Sequence, residues 1–139
     1  MRLTLHARGP QPADEVWERY AVPARWPEWA PYILGVDTAA DRIRPGVTGQ
    51  VRGPLGVTVS FAVTEVDERA RTWAWDVALG AGASPLNRVR LSLDHGVRPS
   101  GAGTRTWLTV HGPPAVVLPY LVPARLSLEM LVRRPARAR

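Results

Sequence analysis

The stretch GVTVSFAVTEVDE, residues 56–68, alternates apolar and polar side chains with hardly a break. Val57, Val59, Phe61 and Val63 fall on one side, and Thr58, Ser60, Ala62 and Thr64 on the other. An extended strand with one face on a core and the other toward water has this period; a helix would scatter the same residues around its circumference. The pattern recurs on either side. RLTLHAR (2–8) sets Leu3 and Leu5 on one face, and RTWAWDVAL (71–79) opposes Trp73, Trp75 and Val77 to Asp76. NRVRLSLDHGV (87–97) points Val89, Leu91, Leu93 and His95 one way and Arg88, Arg90, Ser92 and Asp94 the other. TRTWLTVHG (104–112) separates Thr106, Leu108 and Val110 from Arg105, Trp107, Thr109 and His111. ILGVDTA (33–39) and GVTGQVRG (46–53) read as shorter strands around the turn DRIRPG. The turns RPSGAG and GAGASP punctuate the later ones, the second reading as a flexible connection able to act as a gate. A chain so built must form an antiparallel sheet with one covered face.

Two segments break the alternation. ADEVWERYA (13–21) follows Pro12 and opens with Asp14 and Glu15, the proline and negative charge suited to a helix N-terminus, and Val16, Trp17 and Tyr20 share a face. PARWPEWAPYILGV (23–36) then combines Trp26, Trp29 and Tyr32 with Pro23, Pro27 and Pro31. Prolines at that density forbid a long helix, and large aromatics are seldom left in a solvated linker. The segment reads as a short helical turn whose rings plug something apolar. Near the C-terminus, Val117, Leu121, Ala124, Leu128 and Leu131 recur in steps of four and three, a helical stripe, with Arg125, Glu129 and Arg133 paired on another face. Pro119 and Pro123 predict a helix that is bent or starts late. The order is strand, two short helices, about six antiparallel strands and one long helix, an α+β chain read as one domain over residues 1–139.

Composition narrows the chemistry. There is no cysteine, so disulfides and thiolate metal sites are excluded, and His6, His95 and His111 lie at no metal-ligand spacing. No metal and no cofactor are expected. The formal net charge is +6, and every one of the 18 basic residues is arginine. The arginines are scattered singly, apart from the tail RRPARAR. With the abundant alanine, glycine and proline they read as a bacterial-type, GC-rich coding bias rather than a nucleic-acid surface. The N-terminal residues lack the pattern of a signal peptide, and AVVLPYLVPARLSLEMLV is interrupted by proline and charge, so a cytoplasmic protein with no membrane span is expected.

The run W-E-x-Y…W-P-x-W from Trp17 to Trp29, the middle stretch GVTVSFAVTEVDERARTWAWDV and the turn G-x-G-T-R-T from Gly101 to Thr106 resemble the START-like superfamily, also called SRPBCC. The likeness is strongest to members described as polyketide cyclase/dehydrase-like, and it covers nearly the whole chain. It implies a helix-grip fold: a curved antiparallel sheet of about seven strands wrapped on the long C-terminal helix, with the short helices closing one end. It also implies an apolar cavity between sheet and helix. The inward phases then assign Phe61, Trp73, Trp75, Leu91, Leu93 and Leu108 to one wall and Leu121, Ala124 and Leu128 to the other, with Trp29 and Tyr32 narrowing one end.

On that basis the expected function is binding of a hydrophobic small molecule, polyketide- or lipid-like. The alternative is a cyclase or dehydratase acting through a pocket acid/base residue, and a third reading is an interaction module with a vestigial cavity. The inward polar cluster of arginine, serine and tyrosine that marks catalytic members is not found at matching positions, so no catalytic residue is carried over. Two weak candidates for proton transfer remain, His95 at the end of an inward phase and Glu65 in the phase of Phe61 and Val63. Each could equally be a strand-end residue. Asp76, His6 and His111 fall on outward phases. Trp107 is also outward, which suggests either a homodimer through that face or shielding by Arg88, Arg90 and Arg105.

Overall fold

The computed structural model describes residues 1–79 and 89–135. The connection GAGASP, Arg88 and the last arginines of the tail lie outside the described residues. β1 (Arg2–Gly9) leads into α1 (Ala13–Ala21), a single turn of tighter helix (Pro23–Arg25) and α2 (Trp26–Trp29). β2 (Gly35–Asp37), β3 (Thr48–Arg52), β4 (Thr58–Asp67), β5 (Thr72–Leu79), β6 (Arg90–Ser100) and β7 (Gly103–His111) follow, and α3 (Pro114–Arg133) ends the order. The strands form one antiparallel sheet in the order β1-β7-β6-β5-β4-β3-β2. Pairing of β1 with β7 brings the first and last strands together and leaves β1 and β2 as the edges. This is the helix-grip architecture: the sheet is covered on one face by α1, α2 and α3.

α3 packs chiefly on β1 and β7, at one side of the sheet. Val117, Ala124, Leu128, Leu131 and Val132 are buried there, while Leu118, Val122 and Leu126 on its opposite side are exposed. It is the one helix among the described residues long and apolar enough to cross a bilayer, and it serves here as the core helix of the grip. Of the two outcomes expected for α3, a bend or a late start, the late start is wrong. The helix runs unbroken from Pro114 to Arg133 with Pro119 and Pro123 inside it. Each proline deprives the carbonyl four residues earlier of its bond, and those carbonyls belong to Ala115 and Pro119, both exposed, where water can serve instead.

The helical end is tied by polar contacts. Arg25 donates to Glu28 at 3.1 Å and pairs with Glu15, stitching α2 to α1. Arg19, 1% exposed, donates from Nη1 to the Leu131 carbonyl at 2.8 Å and so fastens α1 to the last turn of α3. The helix dipole favours a cation there.

One strand departs from its sequence pattern. Val63 pairs with Trp75, but Glu65 pairs with Ala74 and Val66 with Trp73. Thr64 is the extra residue of a β-bulge, and every later side chain of β4 changes face. Val66 therefore turns to the core. Glu65, expected to look into the cavity mouth, is exposed and lines an open depression on the outer face with Asp94 and Trp107. Trp107 is on the outer face as its phase predicts. Its ring lies flat over Gly96, where an added Cβ would sit 1.8 Å from the indole. The Arg98 guanidinium covers it at 5.4 Å from the ring centre. Among the described residues the shielding arginine is thus Arg98, not Arg90 or Arg105. Arg105 instead meets His6 Nδ1 at 3.1 Å.

Candidate functional site

Because α3 lies over β1 and β7, it cannot also cover β4 and β5. The rings of α2 cover one end of that half. Trp26 lies edge-on to Phe61 at 5.3 Å and to Trp75 at 5.0 Å, and stacks near Trp73 at 6.0 Å. Its indole N–H donates to the Tyr20 carbonyl at 2.9 Å, and that of Trp29 to the Arg19 carbonyl at 2.9 Å. Trp26, Trp29 and Tyr32 do form the plug that their density among prolines suggests. Pro27 occupies an early helical position, where its missing N–H costs no bond.

Among the described residues two spaces lie between sheet and helices. The inner chamber, about 40 Å³, is bounded by Tyr20, Trp26, Trp29, Tyr32, Ile33, Trp73, Trp75, His95, Leu108, Tyr120, Ala124, Ser127 and Leu128. An apolar vestibule of about 150 Å³ lies beside it, walled by Val59, Val77, Ala78, Leu79, Val89, Leu91, Val116 and Tyr120. Among the described residues the one connected apolar surface expected from the sequence is divided between these two small spaces, with aromatic rings filling much of the grip. Of the residues assigned to the site from sequence, Trp29, Tyr32, Trp73, Trp75, Leu108, Ala124 and Leu128 border the chamber and Leu91 borders the vestibule. Phe61 and Leu93 are buried in the solid core, and Leu121 packs against it, so these three line neither space.

The chamber has two unlike sides. On the helix side, the Ser127 hydroxyl bridges Tyr32 Oη at 3.0 Å and the Pro123 carbonyl at 2.9 Å, and Tyr120 hydrogen-bonds to Tyr32. Tyr20 Oη shares a 2.8 Å bond with Thr106. Burial above all raises the phenol pKa of all three tyrosines, so they stay neutral donors. On the sheet side, Trp73 Nε1, Trp75 Nε1 and His95 Nδ1 are buried with no protein partner. His95 stacks on Trp73 with ring centres 4.2 Å apart. Burial pushes its pKa down to about 3, against a backbone hydrogen bond at Trp73 that acts in the other direction. The ring is neutral at physiological pH, and an imidazole so weakly basic is a poor general base there. Asp76 is exposed and accepts from Ser92 at 2.8 Å. His6 and His111 are exposed.

Among the bordering residues that sequence reasoning missed are Tyr20, Trp26, Ile33, Tyr120 and Ser127 at the chamber and Val59, Val77, Ala78, Leu79, Val89 and Val116 at the vestibule. The first belongs to an amphipathic helix that looked like plain core. Tyr120 and Ser127 lie off the stripe of α3 that was read as inward.

A family model described as polyketide cyclase / dehydrase and lipid transport matches residues 3–133. No curated protein matches the chain by sequence. Among solved structures, Ara h 8.0201 superposes with a TM-score of 0.73 at 14% identity, covering 94% of each chain. MLL2253 from Mesorhizobium loti superposes at 0.74 and 16% identity, covering 94% of this chain and 93% of its own. DynU16, from the dynemicin biosynthetic locus, superposes at 0.66 and 18% identity over 91% of this chain but 45% of its own. At these identities the likenesses establish the fold.

Proposed function

The chain belongs to the polyketide cyclase/dehydrase and lipid transport family of the START-like superfamily, and from that premise we propose that it binds a hydrophobic small molecule between the sheet and α3. The vestibule carries the reading: its lining is all aliphatic apart from Tyr120, and it opens beside a chamber of aromatic rings. Apolar walls with a few convergent polar groups are what ligand sites share. Both spaces fall below the roughly 300–1,000 Å³ of drug-sized pockets. The ligand is therefore compact, or the grip opens to admit it. The test is titration with polyaromatic and fatty-acid probes, followed by tryptophan fluorescence, beside native mass spectrometry of freshly purified protein. A saturable change, weakened in Trp73→Ala, supports the proposal. If no probe binds and Trp73→Ala merely costs about 3–5 kcal/mol of stability, the grip is a solid core.

The catalytic alternative, a cyclase or dehydratase, draws on one observation: His95 borders the chamber and its Nδ1 is buried without a protein partner. Its low basicity at neutral pH weighs against it. Turnover of a polyketide-like substrate that disappears in His95→Gln while binding persists would restore that reading. A homodimer through Trp107 loses support because Arg98 of the same chain already covers that ring. Sedimentation velocity decides the matter.

A further inference from the structure

Burying a polar hydrogen without an acceptor is costly, and native interiors rarely tolerate it. Here Trp73 and Trp75, with rings 5.1 Å apart, border one chamber, and the Nε1 of each is buried without a protein acceptor. An indole nitrogen can only donate. The tryptophans of the helical end are not in this position: Trp17, Trp26 and Trp29 each donate to an oxygen, at 2.6, 2.9 and 2.9 Å. The buried indole donors without an acceptor are both on β5, on the sheet side of the chamber.

Resting on the reading that the grip binds a hydrophobic molecule, we propose that its ligand is a compact, flat apolar ketone whose carbonyl oxygen accepts from Trp73 or Trp75 in the chamber, while its body occupies the vestibule past a displaced Tyr120. A carbonyl oxygen offers two lone pairs and no hydrogen, the complement of the two indole donors. A carboxylate is disfavoured, because an anion taken into this chamber would lose its hydration with no cation among the bounding residues. The chamber's volume of about 40 Å³ is too small for a ring system, so the hydrocarbon lies in the adjoining 150 Å³. Among the described residues Tyr120 alone borders both spaces. It sits between Pro119 and Pro123, so the turn that carries it lacks two of its helical hydrogen bonds. Its hydroxyl is held by Tyr32. One bond and one side-chain rotation stand between two compartments and a single site.

The experiment compares 1-indanone, indane and indane-1-carboxylate, which share a ring frame and differ in the polar group, by calorimetry and by the indole ¹H–¹⁵N signals of the whole chain. The expected result is about tenfold tighter binding of indanone than of indane, the scale of one hydrogen bond. Indane-1-carboxylate should be the weakest of the three. Indanone, and not indane, should move the indole signals of Trp73 or Trp75. Trp73→Phe combined with Trp75→Phe should bring indanone down to the level of indane, and Tyr120→Phe should speed association severalfold without changing the preference. If the double variant does not fold, the indole signals of the unaltered protein still decide. Equal binding of indanone and indane with still indole signals would overturn the ketone assignment and leave the hydrophobic-ligand reading standing. Carboxylate binding as tight as indanone would overturn it likewise. Association unchanged in Tyr120→Phe would overturn the role of Tyr120. Binding of none of the three would defeat this inference, and the broader probes named above would then show whether the binding reading fails with it.

Discussion

The rings of α1 and α2 and the rings of β5 meet in one aromatic core, yet they are held differently. Trp26 and Trp29 are fixed at both ends, by packing around the ring and by an indole hydrogen bond to a carbonyl of α1. Trp73 and Trp75 are fixed by packing alone, with Trp73 sandwiched by His95 and approached by Tyr20 at 5.7 Å. The difference separates a structural plug from a wall that keeps its polar edge free. It also explains why the same residue type, at similar burial, reads as core in one place and as site in the other. A hydrogen bond to the backbone spends the indole's one donor on the fold; an unpaired indole keeps it for whatever enters.

The comparison breaks first at Trp26. Truncation to alanine removes a ring that is 1% exposed and touches Phe61, Trp73 and Trp75, and should cost about 3–5 kcal/mol in urea unfolding. A cost below about 1 kcal/mol would mean that the plug does not hold the core together.

Next in size is the acid response of the sheet-side group. The folded pKa of His95, about 3, lies below the ordinary value of 6.5. As pH falls through that window the unfolded chain binds the proton and the folded chain does not. Its contribution is therefore full above pH 6.5 and declines toward pH 3, by on the order of 1.4 kcal/mol per unit. Unfolding free energies at pH 7 and pH 4.5 should differ by about 2–3 kcal/mol more in the unaltered protein than in His95→Gln. Equal slopes would show that the ring is wetter than its burial implies.

A finer cut exchanges each tryptophan for phenylalanine, which keeps an aromatic ring and removes the N–H. Trp29→Phe leaves the Arg19 carbonyl without its donor and should cost about 1–3 kcal/mol more than Trp73→Phe, which strands nothing. Chemical denaturation of the pair measures the contrast directly. Similar costs would erase the distinction between plug and wall. The smallest effect is expected on the outer face, where Arg98→Ala should cost about 0.5–1 kcal/mol through its contact with Trp107. No loss would leave the ring held by Gly96 alone.

Much of this architecture was legible beforehand. The alternation in β4 through β7, the amphipathic α1, the proline-capped turn at Trp26 and the stripe of α3 are local periodicities, and each element formed where its period predicts. The ion pairs Arg125–Glu129 and Glu129–Arg133, at 3.6 and 2.6 Å, follow from helical spacing in the same way. Two errors have a common origin. Glu65 was placed inward by extending the period of Phe61 and Val63 through a bulge that no residue type announces. The late start of α3 followed from proline chemistry without the knowledge that the carbonyls it strands face solvent.

By itself the sequence determined which residues share a face, because a side chain's direction along a strand or helix depends on nothing beyond the backbone repeat. It determined the family and with it the grip. Only the tertiary structure decided how much space the grip leaves: two compartments divided by Tyr120, and two indole N–H groups without an acceptor. Volume and hydrogen-bond satisfaction are sums over neighbours that come from five or more separate elements. A shift of one residue in β4, or of α3 from β1–β7 toward β5, would change both while leaving every local pattern intact.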